Sequence, residues 1–256
     1  MNGAVLLPII MVEYMNIFIS FSGEAREKYA IKFLNFFNKY GFQGWYDQHE
    51  LLLGDMLTET IIRDGIERAD YCVLFINKTY LNRDWPCEEA IRFYNRFKKE
   101  SNYVIFPILL DITKEELRNS KLDFLLQLKY QFLHDGDTIE HIGLQILNRI
   151  FFDIARKKDI HTYEHALNYF KRLTLSDSIN IYNALLAIKD FDETCYREKT
   201  IFLICLIRLF DDYSYKKTLR EISYKIYNND TISFDIFKIT ESIFLINASI
   251  FLEKNS

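Results

Sequence analysis

A chain of 256 residues, 49% of them hydrophobic, is long enough for one large domain or two smaller ones and can bury a full core. Its net charge of -4 at pH 7 gives no electrostatic footprint for a polyanion, which argues against nucleic acid or an anionic membrane as the main partner. Four cysteines (Cys72, Cys87, Cys195, Cys205) show neither the density of a disulfide framework nor any C-x-x-C spacing, and read as small core residues in a reducing cytosol.

In chain order, "GAVLLPII" (3–10) has the apolar character of a signal-peptide core, but it lacks the preceding positive residues and is too short to span a bilayer. Met11 and Met15 follow closely, and residues 1–14 are expected to form an N-terminal extension. The apolar runs "MNIFISF" (15–21), "FQGWY" (42–46), "YCVLFI" (71–76), "YVIFPILL" (103–110) and "YQFL" (130–133) are predicted strands. Between them lie helical patterns such as "REKYAIKFLNFFNKYG", where Tyr29, Phe33, Phe36, Phe37 and Tyr40 recur at three- and four-residue spacing and Gly41 stops the helix. Strands alternating with helices indicate a parallel sheet covered on both faces, an α/β domain of five strands.

All eight glycines lie at or before Gly143 and the three prolines at or before Pro107, so the residues of tight turns vanish from the last part of the chain. A domain boundary is expected near residues 157–158. Beyond it helices are predicted near 162–172, 177–190, 194–211, 215–228 and 234–253, with Ser176, Asp192, Ser214 and Ser233 or Thr231 as caps. The third, "REKTIFLICLIRLF", is apolar nearly all round and is expected at the centre of an all-α bundle. No run is apolar enough to span a membrane, since "TIFLICLIRLF" is interrupted by Arg208, and a soluble protein is expected. "HTYEH" sets His161 and His165 four apart with Glu164 between, but without a third ligand it reads as a solvated helix face and no metal site is expected.

In an open parallel sheet the ligand crevice forms outside the C-terminal strand ends. Three loops qualify: "SGEAR" (22–26), "DQHELLLGD" (47–55), and the segment after "YCVLFIN" leading into "DWPCEE". None holds G-x-G-x-x-G, a P-loop or G-x-S-x-G, which removes the dinucleotide, P-loop and hydrolase-elbow readings. In "NRDWPCEEAIRFY" (82–94) Asp84 reads as the helix cap, Pro86 is tolerated in the first turn, and Cys87, Ala90, Ile91 and Tyr94 fall on the buried face. Glu88 and Glu89 stand about 100° apart around such a helix and cannot act as a dyad. Helix-start acids are also favoured by the macrodipole alone, so periodicity does not choose between them. Trp45 and Trp85 are equally readable as core, Cys87 has no histidine in these motifs to activate it, and His49, Lys78, Arg83 and Arg92 read as surface groups.

Taken together, "FISFSGEAR", "GWYDQHELLLGDML" and "ADYCVLFINKTYLNRDWPCEEA" resemble the ordered signature of Toll/interleukin receptor (TIR) domains over about residues 15–157. Trp45, Asp47, Leu51 and Gly54 resemble the family's Trp/Phe-x-Asp-x-x-x-Leu-x-x-Gly loop, and Trp85 and Glu89 keep its Trp-to-Glu spacing, with Pro86 where Cys is commonest. The resemblance implies a flavodoxin-like five-stranded parallel sheet flanked by helices, cleavage of NAD between nicotinamide and ribose, and Glu89 as the catalytic acid. It implies substrate contacts from Phe21, Ser22, Gly23, Trp45, Asp47 and Trp85, with the backbone of "SGEAR" suited to a pyrophosphate. In plant members an Arg often stands where this chain has Ser22. NAD is then a substrate, no cofactor or metal is expected, and location is cytoplasmic. The resemblance further implies a homo-oligomer through TIR–TIR contacts and a role in Thoeris-like anti-phage defence, with a phage-derived trigger or a downstream effector as partner. Two other readings are a non-enzymatic TIR adaptor and a nucleoside deoxyribosyltransferase-like enzyme that would use a helix-borne Glu on free nucleosides.

Overall fold

A computed structural model of the chain describes residues 16–45, 67–100, 103–173, 176–210 and 212–255. Packing divides the chain into two compact units, residues 1–38 with 42–137, and residues 39–41 with 138–256.

The first unit is built on five strands: β1 (Asn16–Ser20), β2 (Gln43–Trp45), β3 (Tyr71–Ile76), β4 (Val104–Leu110) and β5 (Gln131–Leu133). They run parallel in the order β2-β1-β3-β4-β5, the doubly wound arrangement the sequence predicts, with each predicted strand found within two residues of its expected limits. β3 is buried along its whole length, which explains an apolar run without alternation. Pro107 is accommodated in β4 because pairing with β5 begins only at Ile108 opposite Gln131.

A π-helical turn (Arg26–Ala30) runs into α1 (Ile31–Tyr40), whose Phe33 ring meets Phe75 of β3 edge-on at 4.9 Å. Gly41 ends α1 with φ +93, a conformation costly to a side chain, as its place after the periodic run requires. After β3 come a short α2 (Lys78–Leu81) and α3 (Asp84–Lys99); α4 (Lys114–Arg118) and a 3-10 turn (Asp123–Gln127) follow β4. The period of two in β1 and β3 sorts their side chains by face. Phe18, Cys72, Leu74 and Ile76 join Cys87, Ala90, Phe93 and Tyr94 in one core cluster against α3. Ser20, two residues beyond Phe18, is therefore carried toward α3 as well.

The second unit comprises α5 (Ile139–Arg156), α6 (Tyr163–Phe170), α7 (Ser176–Asp190), α8 (Tyr196–Ile207), α9 (Lys216–Asn228) and α10 (Phe234–Asn255). Each of the five helices predicted after residue 158 is present, and α5 groups with them by packing. The expected centre is corrected. It is α10, not α8, that packs against α5, α6 and α8, burying Ile239, Ile243, Phe244 and Ala248 completely. α8 instead turns Phe202 and Cys205 outward, so Cys205 is not the core residue expected. Polar residues disguise α10 in the sequence, yet Thr240, Asn247 and Ser249 find partners there. Thr240 donates to the Ile236 carbonyl at 2.9 Å, and Asn247 donates to Ile243 at 2.8 Å and accepts from the Ser214 N–H at 2.6 Å.

The caps are likewise sorted. Ser233 accepts from Ile236 N at 3.4 Å, whereas α8 and α9 start from Cys195 and Tyr215 without a side-chain cap, so Asp192 and Ser214 do not serve. Thr162, which the sequence reading overlooks, caps α6 through His165 N at 3.1 Å.

Candidate functional site

The two adjacent acids lie one turn inside α3, whose first turn holds only Asp84 among acids, and the helix separates them. Asp84 is not its cap. Arg83 occupies that position without a side-chain hydrogen bond, and Asp84 begins the helix paired at 2.6 Å with Lys121. Pro86 fits the first turn, where its missing N–H has no intrahelical partner to lose. From there the helical repeat sets Cys87 and Ala90 against the sheet, leaves Glu88 exposed, and turns Glu89 inward to 5% exposure. Trp85 is half-buried against the same core cluster.

Glu89 meets the C-terminal end of β1. Ser20 Oγ donates to Glu89 Oε2 at 2.7 Å, and Tyr80 OH lies 2.8 Å from Ser20 Oγ. Ser20 is 2% exposed and Tyr80 completely buried, so three elements, β1, α2 and α3, converge on one buried polar cluster. Burial, and secondarily the Glu89 charge, pushes the Tyr80 phenol and the Cys72 thiol well up. Burial also pushes the Cys87 thiol up, while its Sγ donates to the Tyr80 carbonyl at 3.4 Å. A neutral thiol held in this way is a core residue rather than a nucleophile.

Asn77 ties the loops together. Its Oδ1 accepts from Tyr80 N at 2.8 Å, capping α2, while its Nδ2 donates to the Ser22 carbonyl at 3.3 Å. The Ser22 Oγ is buried and makes no hydrogen bond among the described residues. Gly23 sits exposed at φ +61, and Phe21 is half-buried beside it. The N–H groups of Ala25 and Arg26 close turns on the Ser22 and Gly23 carbonyls at 3.4 and 3.3 Å. Those two donors, read from the sequence as suited to a pyrophosphate, are thus engaged within the turn.

Of the residues singled out in the sequence, Phe21, Ser22 and Gly23 lie in the loop after β1, Trp85 lies on the first turn of α3, and Glu89 lies on its second. Trp45 pairs through its backbone with Phe18 across β1 and β2. Asp47, His49, Leu51 and Gly54 lie outside the described residues. Ser20, Asn77 and Tyr80 were missed. The available signal was Ser20 itself, a polar residue at an inward strand position, which demands a partner.

A cavity of about 310 Å³ opens at the same sheet edge, lined from the α1 side by Glu24, Lys28, Tyr29, Asn77, Thr79 and Asp111. Glu89 faces the other side of the sheet, with α3, so this cavity is not the setting of its carboxylate. His161 and His165 are exposed with rings 4.6 Å apart, and among the described residues no three His, Cys, Asp or Glu side chains group to hold a metal. No described helix is long and apolar enough to cross a membrane.

Residues 17–147 match the family model for the TIR domain. The chain is 30% identical over 135 residues to the probable 2' cyclic ADP-D-ribose synthase TcpO of Methanobrevibacter olleyae, covering 53% of this chain and 38% of that protein. It is 28% identical over 104 residues to the NAD(+) hydrolase TcpC of Escherichia coli, covering 41% and 34%. It is also 28% identical over 149 residues to the 2' cyclic ADP-D-ribose synthase AbTIR of Acinetobacter baumannii, covering 56% and 53%. The chain therefore spans between 34% and 53% of these relatives' own lengths.

Proposed function

The chain belongs to the TIR domain family, and from that premise we propose that it cleaves the nicotinamide–ribose bond of NAD, with Glu89 as the catalytic residue. The observation that carries the reading is the contrast between the two acids: Glu88 faces outward, while Glu89 is turned inward and held by Ser20 at the C-terminal edge of the sheet. The names of the relatives, NAD hydrolases and cyclic ADP-ribose synthases, support the same substrate.

The chemistry explains why one carboxylate is enough. Glycosidases ordinarily need a second acid to protonate an alkoxide leaving group. Nicotinamide is bound to ribose as a cationic pyridinium and departs neutral, so only the developing oxocarbenium ion needs stabilising. A carboxylate beside it supplies charge and an acceptor for a ribose hydroxyl, on the order of 3 kcal/mol or more by analogy with other single-group deletions. Water attack on C1′ then yields ADP-ribose and a proton, whereas attack by a hydroxyl of the same molecule yields a cyclic isomer. The buried Ser22 Oγ is suited to meet a polar group of the substrate, because a buried hydroxyl left unpaired is costly. Phe21, Gly23, Trp45, Asp47 and Trp85 complete the proposed contacts.

As part of the same proposal, residues 15–157 form the TIR domain and 158–256 a helical domain that senses a trigger or drives assembly. The site is completed by TIR–TIR association, and the setting is anti-phage defence. Purified protein incubated with NAD, with and without infected-cell lysate, tests this by mass analysis. Release of nicotinamide with ADP-ribose or a cyclic isomer is expected, rising faster than first order in protein concentration. Intact NAD under both conditions would contradict the reading.

A further inference from the structure

Resting on that reading of Glu89, we propose that Tyr80 and Ser20 form a buried hydrogen-bond relay that positions the carboxylate and holds it ionised for catalysis. The direction of the relay follows from proton counting. Ser20 has one hydroxyl proton, and at 2.7 Å it is given to Glu89 Oε2. In the 2.8 Å contact with Tyr80 the phenol must then be the donor. Both protons point along the chain toward the carboxylate, and at exposures of 0%, 2% and 5% no bulk water weakens the links.

The relay's far end is fixed as firmly as its near end. Asn77 caps the Tyr80 N–H, Cys87 Sγ donates to the Tyr80 carbonyl, and the ring is sealed in the core cluster. A phenylalanine would fill the same space, so packing alone does not require the phenol. A buried hydroxyl is retained here with its partner at hydrogen-bonding distance. Among the described residues, Cys72 from β3 and Tyr80 from α2 interact electrostatically with the carboxylate, and burial pushes both up, so each is neutral near pH 7. Tyr80 and Ser20 are positioning residues; neither is assigned contact with the substrate.

The test uses the full chain with Tyr80→Phe and Ser20→Ala, read in two ways. With NAD, each variant is expected to lose about 10- to 100-fold in kcat with KM changed less than about threefold. The acid limb of the kcat profile should move to higher pH by on the order of one unit, because loss of a donor to the charged form lets the carboxyl protonate more easily. Without NAD, the side-chain carboxyl of Glu89, labelled with carbon-13 and identified by its absence in Glu89→Gln, should titrate at correspondingly higher pH in both variants. An unmoved carboxyl titration in folded Tyr80→Phe and Ser20→Ala would overturn the relay, whatever the loss in melting temperature. The two proposals fail separately. Wild-type protein that leaves NAD intact removes the enzymatic reading while the titration still decides the relay, and an inactive Glu89→Gln with an unmoved titration removes only the relay.

Discussion

Glu88 and Glu89 share a backbone turn and differ only in what the helical rotation shows them: solvent for the first, the end of β1 for the second. Neighbouring residues set the remaining geometry. Gly23 holds φ +61, where a side chain collides with its own backbone. Gly23→Ala is expected to cost about 1 kcal/mol by denaturant unfolding, and an unchanged midpoint would show that the turn relaxes freely. Ser22→Ala removes a hydroxyl that has no internal hydrogen bond among the described residues. It should leave stability within about 0.5 kcal/mol while raising KM for NAD; a large stability loss with KM unchanged would mean that the hydroxyl serves the fold.

Among the elements, α2 is only four residues long, yet it carries Tyr80 to Ser20. Its stability rests on Asn77, whose amide both caps the helix and reaches the Ser22 carbonyl. Asn77→Ala should therefore cost about 1 kcal/mol or more, while Asn77→Asp keeps the cap and loses the tether. Denaturant midpoints that fall equally in the two variants would contradict that division of roles. The strands were legible as short apolar runs rich in β-branched and aromatic residues, and the helices after residue 158 as long stretches free of glycine and proline. The order of packing was not. α8 looked central for its apolar letters, and α10 looked less so for Thr240, Asn247 and Ser249, whose bonds to backbone are invisible before the fold exists. Cys205 on α8 gives the check: it should react with a thiol reagent in the folded chain, while Cys72 and Cys87 react only on unfolding. Protection of Cys205 would restore α8 to the interior. At the site, the resemblance pointed to Glu89, but Ser20 and Tyr80 lie 69 and 9 residues away from it in the chain, a distance over which local patterns carry no information.

For the molecule as a whole, buried thiols and phenols set the response to alkali. Burial pushes up Cys72, Cys87, Tyr80, Tyr40 and Tyr163, so the folded chain holds protons that the unfolded chain releases. These groups contribute fully below the ordinary thiol and phenol values of 9.0 and 10.0, and their contribution is lost as pH rises beyond them. The urea midpoint should accordingly fall between about pH 8 and about pH 10.5, and a flat profile would contradict the buried, neutral state of these groups. The family match ends at residue 147, inside α5, so the remaining helices have no counterpart in that match. The most direct measurement is nicotinamide release from NAD by the wild-type chain, Glu89→Gln and Glu88→Gln, each shown to be folded. The account predicts a loss of at least about 100-fold in Glu89→Gln and substantial activity in Glu88→Gln; equal loss in both, or full activity in Glu89→Gln, would contradict it.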